Sequence, residues 1–196
     1  SSVFGFELGL LYPLLFIPIG IVGATTTFNF LAGYNGLEAG QGILILSALS
    51  IATFLTGNSW LTIITFCMVA SLIAFYIFNI SPAKVFPGDI LTYCIGGLIA
   101  VIAILGNIEK IALFFFIPYI LETILKIRGG VRNIHNFAIP NSDGSLELRY
   151  KRIYSLTHLS LFILKKFKRK VYEHEVVYLI NFFQLVIILV GFLIFF

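Results

Sequence analysis

The sequence predicts an all-α fold, a polytopic membrane bundle of about six transmembrane helices, with one longer loop that contains a small hairpin and an amphipathic helix. Three observations carry this prediction. The chain is 59% hydrophobic and 11% charged, whereas soluble domains carry about 25% charged residues. Apolar runs cover roughly 8–28, 42–57, 60–78, 90–106, 111–127 and 176–196, and about 20 apolar residues suffice to cross a bilayer as a helix. The cations are segregated. Six spans put loops 29–41, 79–89 and 128–175 on one side, which, counting Lys126 at the adjoining end of the fifth span, holds 12 of the 13 Lys and Arg residues, and Lys110 alone falls on the other. The positive-inside rule makes the basic side cytoplasmic.

Each run has its own features. Pro13 and Pro18 are expected to kink the first. The second is short. In the fifth, read as one helix, Glu122 and Lys126 lie four apart and share a face, so they can pair. Asn181 and Gln184 in the sixth are three apart and are expected to face other helices rather than lipid. Cys67 and Cys94 fall inside apolar runs and read as inert thiols. His135, His158 and His174 are too scattered for a metal cluster.

The polar stretch 25–41 interrupts this apolar pattern. It carries Asn29, Asn35, Glu38 and Gln41, with Gly33, Gly36 and Gly40 among them. Lipid offers amides and bare backbone no partner, so these groups must meet water, protein or a ligand. Gly33 and Gly36 flank Tyr34-Asn35, which predicts a tight turn where backbone can approach something bound. The next loop on the same side reads Ser81-Pro-Ala-Lys84-Val-Phe86-Pro-Gly-Asp89. Asp89 opens the fourth span, and its carboxylate can cap that helix or hold a metal. Phe86 reads equally as a membrane-interface aromatic or a platform for a base.

Residues 128–175 form the only soluble-looking part. Gly129-Gly130 ends a helix, and Arg132, His135 and Asn136 follow. Asn141-Ser-Asp-Gly144 is a turn signal that predicts a hairpin over roughly 136–151. Leu156, Leu159, Ile163 and Phe167 recur at helical spacing and run into the cations Lys165 to Lys170, an amphipathic helix suited to a membrane surface or a solvated charge run. The chain thus divides into a five-span membrane core over 1–127 carrying two site loops, a cytoplasmic loop over 128–175, and a last span over 176–196.

Asn29-Phe-Leu-Ala-Gly-Tyr-Asn35-Gly-Leu-Glu-Ala-Gly-Gln41, followed about 50 residues on by Val85-Phe-Pro-Gly-Asp89, resembles the polyprenyl-phosphate N-acetylhexosamine-1-phosphate transferases. Ala32-Gly-Tyr-Asn35-Gly matches the archaeal and eukaryotic dolichyl-phosphate GlcNAc-1-phosphate transferase pattern. The bacterial Asp-Gly-x-Asp-Gly is not present. The resemblance implies transfer of GlcNAc 1-phosphate from UDP-GlcNAc to a polyprenyl or dolichyl phosphate with release of UMP, the first lipid-linked step of an N-glycosylation type of glycan assembly. It implies Mg²⁺, with Mn²⁺ as an alternative, held by the catalytic pair Asp89 and Asn29. It further implies that Asn35 reads the uracil, that Phe86 stacks on it, that Gly33 and Glu38 line the nucleotide site, and that Arg132 and His135 face the sugar diphosphate. A diphosphate suits a hard cation on oxygen ligands, and an Asn amide can answer both the donor and the acceptors of uracil.

There are departures. Thr26 stands where the family commonly has a second Asn. A compact Arg-His-Arg cluster is reduced to Arg132-Asn-Ile-His135, and no adjacent Asp-Asp pair occurs. The chain is therefore expected to be the C-terminal part of such an enzyme, inactive alone, in an archaeal plasma membrane or an endoplasmic reticulum membrane. A homodimer is compatible with this reading, and nucleic acid is not expected as a partner. The competing readings are a non-catalytic membrane relative and, less favoured, a transporter subunit.

Overall fold

Turn chemistry and prolines decide where the apolar runs become helices. A computed structural model describes residues 2–3, 6–7, 9–130 and 135–196. Helix α1 (Tyr12–Phe30) opens with a π-helical turn, Tyr12–Phe16, in which the Ile17 N–H reaches back to the Tyr12 carbonyl. Pro13 and Pro18 each lie in a first turn, where a missing N–H costs little, and the wide opening takes up their rings. A two-residue strand pair, β1 (Ser2–Val3) and β2 (Phe6–Glu7), precedes it.

Helix α2 (Leu37–Leu55) begins earlier than the run over 42–57 suggests. Gly36 adopts a left-handed conformation (φ 80°) and turns the chain directly into the helix. Leu37, Glu38 and Gln41 are consequently buried in helix rather than exposed in a loop. The stretch 25–41 is therefore the last turns of α1, a tight connection over 31–36, and the first turn of α2. Helices α3 (Ser59–Asn79) and α4 (Gly88–Leu105) follow the third and fourth runs. The main helix pairs are α2 with α3 and α1 with α4. Gly96 allows the second pairing, because a Cβ there would sit 2.7 Å from the Ala24 carbonyl oxygen and 2.8 Å from Thr25 Cα. Small residues let membrane helices approach in this way.

The run over 111–127 is not the single helix expected. It forms α5 (Glu109–Phe115) and α6 (Ile117–Gly129), broken at Phe116. Pro118 supplies no N–H to the preceding turn, and Gln184 donates to the Phe115 carbonyl across 3.0 Å, satisfying backbone freed by the break. The broken pair still covers the length of α1. Tyr12 OH donates to Glu109 at one end (2.6 Å), and Lys126 donates to the Phe30 carbonyl at the other (2.5 Å). Among the described residues, five continuous helices are long and apolar enough to cross a membrane, the fifth being α8 (Glu173–Phe195).

Polar groups inside the bundle are paired helix to helix. Gln41 donates to Asn181 (2.9 Å) and accepts from Tyr119 OH (3.2 Å), so the polar face predicted on α8 joins α2 and α6. Glu122 and Lys126 lie 3.8 Å apart as expected. Glu122 also accepts from Ser155 Oγ (2.9 Å) and from the Leu156 N–H (2.6 Å), which anchors the long loop to the bundle.

Within that loop, β3 (Ile139–Pro140) pairs with β4 (Leu146–Glu147) about the Asn141–Ser145 turn, as the turn signal predicts. Helix α7 (Leu156–Phe167) is N-capped by Ser155. It turns Leu156, Thr157, His158, Ser160 and Leu161 inward, leaving Phe162, Ile163 and Phe167 outside. Three of the cations in its last turn and beyond it are engaged within the fold: Lys165 with Glu147, Lys168 with Glu175, and Lys170 with Asp143 at 2.7 Å. These pairs clamp the hairpin and the start of α8 onto α7.

Candidate active site

Where α1 ends and α2 and α4 begin, the chain encloses a cavity of about 430 Å³. Six of the residues singled out in the sequence line it: Asn29, Gly33, Asn35, Glu38, Phe86 and Asp89. Asn79, Thr92 and Phe137 complete much of its wall. A second cavity of similar size lies between α1, α4 and α5 near the Tyr12–Glu109 contact. Its lining is apolar apart from Tyr12, Thr27 and Glu109, two of which bond each other.

Asn29 sits in the last turn of α1, and its amide is held by α4. Thr92 Oγ1 donates to Asn29 Oδ1 (2.8 Å), and Asn29 Nδ2 reaches Tyr93 OH (3.4 Å). Thr92 is itself buried and lies 3.0 Å from the Asp89 carbonyl oxygen, one turn earlier. Asp89 is in the first turn of α4, with Pro87 as the preceding cap residue and no side-chain cap bond. The capping alternative is thus not taken. The carboxylate is exposed to the cavity beside the positive end of the helix dipole.

The connection over 31–36 is held from the long loop. Gly33 has φ 117°, and a Cβ there would meet the Phe137 ring at 2.8 Å. The predicted close approach of backbone is therefore to a side chain of this same protein. Glu38 Oε1 accepts the Gly33 N–H (2.6 Å), while Glu38 Oε2 is buried with no partner among the described residues. Tyr34 OH accepts the Ala138 N–H (3.1 Å), and burial pushes its phenol pKa up. Asn136 donates to the carbonyls of Phe30 (2.7 Å) and Ala32 (2.9 Å).

Two residues without any sequence signal connect the motifs. Asn79, fully buried at the end of α3, accepts the Gly36 N–H (3.2 Å) and donates to the Val85 carbonyl (2.9 Å). It thereby ties the 31–36 connection to the loop that carries Phe86 and Asp89. Glu173, in the first turn of α8, accepts from the Asn35 backbone N–H (2.5 Å) and from Asn35 Nδ2 (3.4 Å). Phe86 is 72% exposed, so its ring face is open to a planar ligand. His135 is exposed and is absent from the cavity lining, its backbone N–H donating to Tyr150 OH (3.3 Å). Arg132 lies outside the described residues.

The oxygens that could take a cation here are the Asp89 carboxylate and Asn29 Oδ1. Both are hard donors. Among the described residues no cluster of three or more His, Cys, Asp or Glu side chains forms. A set this small suits Mg²⁺, which keeps several waters and takes phosphate oxygens as further ligands.

Residues 1–107, which contain α1 to α4 and both cavity-lining loops, match the model of Glycosyl transferase family 4. The chain belongs to that family. The family 4 assignment bears out the resemblance read from residues 29–41 and 85–89. A Saccharolobus solfataricus protein provisionally named UDP-N-acetylglucosamine–dolichyl-phosphate N-acetylglucosaminephosphotransferase is 40% identical over 153 residues, which cover 77% of this chain and 47% of the relative. A Sulfolobus acidocaldarius protein of the same provisional name is 33% identical over 174 residues, 88% of this chain and 51% of the relative. A phospho-N-acetylmuramoyl-pentapeptide-transferase of Shouchella clausii is 33% identical over 159 residues, 81% of this chain and 45% of the relative. This family 4 chain, an integral membrane protein, spans about half the length of the curated relatives it matches.

Proposed function

We propose that this chain carries the nucleotide-binding side of a transferase that moves GlcNAc 1-phosphate from UDP-GlcNAc to a polyprenyl or dolichyl phosphate. UMP is the leaving group, and the product is the first lipid-linked intermediate of a glycan assembly of the N-glycosylation type. The observation that carries the reading is that Asn29 at the end of α1, Asn35 in the connection after it, Phe86 in the loop before α4 and Asp89 at the start of α4 line a single polar cavity at one end of the bundle. The relatives' names support the substrate pair. The basic loops on that end support a cytoplasmic orientation.

In this reading a lipid phosphate oxygen attacks the sugar-bearing phosphorus, and the bond from that phosphorus to the UMP oxygen breaks. Such a reaction demands positioning and charge stabilisation more than covalent help. Phe86 stacks on the uracil and Asn35 hydrogen-bonds its edge. Asn29, oriented by Thr92, and Asp89 would hold Mg²⁺, which neutralises diphosphate charge when bound. Residues 128–175 supply the sugar-diphosphate side, with Arg132 and His135 as its cation and donor. A diphosphate fits guanidinium geometry, since one Arg can bond two oxygens.

The test uses the natural full-length protein in membranes, given UDP-GlcNAc labelled in the sugar and in the β-phosphate, a polyprenyl phosphate and Mg²⁺. The expected result is UMP together with both labels in the lipid. Release of UDP with only the sugar label in the lipid would replace phosphosugar transfer by simple glycosyl transfer. A protein that binds UDP-GlcNAc and transfers neither label would be the non-catalytic relative.

A further inference from the structure

Glu173 has no part in the resemblance that pointed to the site. It belongs to the opposite end of the sequence, in the first turn of α8, yet it is the partner of the residue proposed to read the base. One carboxylate oxygen accepts the Asn35 backbone N–H at 2.5 Å, and the other accepts from Asn35 Nδ2 at 3.4 Å. A carboxylate can only accept, so the amide must turn its nitrogen toward Glu173. Asn35 Oδ1 then has no protein donor among the described residues, and Asn35 lines the cavity.

The surroundings keep this arrangement in place. The next residue, Gly36, is pinned through its N–H to the buried Asn79. The start of α8 is braced as well, since Glu175 accepts the Tyr172 N–H (2.9 Å) and pairs with Lys168. Both ends of the Glu173–Asn35 contact are thus fixed by neighbouring hydrogen bonds.

We infer that Glu173 is a specificity-determining positioning residue that fixes the Asn35 amide with its oxygen toward the cavity, so that the site selects a nucleobase bearing an imide N–H. This rests on the uridine-nucleotide reading of the site. Uracil offers an N–H at position 3, which Asn35 Oδ1 can accept. Cytosine has an unprotonated acceptor there, which would face the same oxygen and leave two acceptors opposed. Sites that hydrogen-bond a substrate group discriminate strongly against an analogue lacking it, because their own polar group is then left unpaired.

The test is Glu173→Gln in the natural full-length protein. Glutamine can still accept the backbone N–H of Asn35. Its amide nitrogen now faces Asn35 and favours the flipped amide, with Oδ1 toward residue 173 and Nδ2 toward the cavity. The preference for UDP-GlcNAc over CDP-GlcNAc in kcat/KM should fall by roughly tenfold or more, carried by a higher KM for the uridine substrate with kcat largely kept. A merely structural role would lower both substrates' rates together and leave the ratio unchanged, which would overturn the inference while leaving the transferase reading intact. A second arm needs no variant and covers the case in which Glu173→Gln does not fold. On the unaltered protein, 3-methyl-UMP, whose imide N–H is blocked, should compete at least about tenfold more weakly than UMP, and equal potency would overturn the inference. If the unaltered protein turns over no uridine diphosphate sugar, the underlying reading itself fails.

Discussion

Thr92 Oγ1 donates to Asn29 Oδ1 across 2.8 Å, joining the second turn of α4 to the last turn of α1. The contact leaves one lone pair of the amide oxygen for a cation and stops the amide from flipping. Replacing Thr92 by Val keeps the shape and removes the hydroxyl. The half-maximal Mg²⁺ concentration for UMP release should rise by about 10- to 100-fold, the usual effect of losing a group that orients a metal ligand. Thr92→Ser should stay near the unaltered value. A Mg²⁺ titration of all three proteins checks this, and an unchanged Thr92→Val curve would remove Asn29 from the ligand set.

Gly33 meets two constraints at once, a φ of 117° and the Phe137 ring 2.8 Å from where a Cβ would lie. Gly33→Ala should cost about 1–3 kcal/mol in backbone strain alone and weaken UMP binding. Adding Phe137→Ala should recover the part of the loss due to the contact and not the part due to the dihedral. Calorimetric UMP titration of the single and double variants separates the two.

Lys126 and Glu122 form a buried pair that joins the end of α1 to the start of α7. Lys126→Met would strand the Glu122 carboxylate, although Ser155 and the Leu156 N–H still bond it. Breaking such a pair costs about 3–5 kcal/mol. The double replacement Lys126→Met with Glu122→Gln should be less destabilised than Lys126→Met alone. Thermal unfolding in detergent reads the order directly, and a double variant weaker than the single would show that the pair itself is not the source of the loss.

His158 is 1% exposed on α7, and neither ring nitrogen has a hydrogen-bond partner among the described residues. Burial pushes its pKa below the ordinary histidine value, the nearby His135 backbone opposes this in part, and the charges of Arg149 and Lys126 add to the lowering. The folded state therefore holds the neutral ring, while the unfolded chain takes up a proton near the usual value. The stability this contributes is full above about pH 6.5 and is lost as pH falls toward the lowered folded pKa. His158→Phe should flatten the fall in melting temperature between pH 7 and pH 5. An equally steep fall in the variant would assign the acid sensitivity to another group.

The helices were legible where hydrophobicity changed sharply. Asn79 and Gly88 bound a polar loop, and Gly33 and Gly36 marked the turn correctly. The break at Phe116 was not legible, because apolar residues continue across it and its stabilising donor, Gln184, comes from α8. The start of α2 differs too: Glu38 and Gln41 read as loop residues, and they are accommodated in a helix by the Gly33 N–H for Glu38 and by Asn181 and Tyr119 across the bundle for Gln41. Among the site residues, Asn29, Asn35, Phe86 and Asp89 could be found from local motifs. Asn79, Thr92 and Glu173 could not, since their role lies in contacts 43, 63 and 138 residues away in sequence. Such pairings depend on how helices pack, which local spacing does not encode.

The proposed site depends above all on Asp89 serving a cation beside a uridine nucleotide. The most direct measurement of this is Mg²⁺-dependent UMP release from UDP-GlcNAc by the natural full-length protein carrying Asp89→Asn, with membrane insertion and thermal stability checked in parallel. The expected result is a correctly inserted protein of near-normal stability, because Asp89 caps nothing, with UMP release reduced by about a hundred- to a thousandfold, as for loss of a group that stabilises transition-state charge. Turnover at the normal rate with an unchanged Mg²⁺ dependence would contradict it.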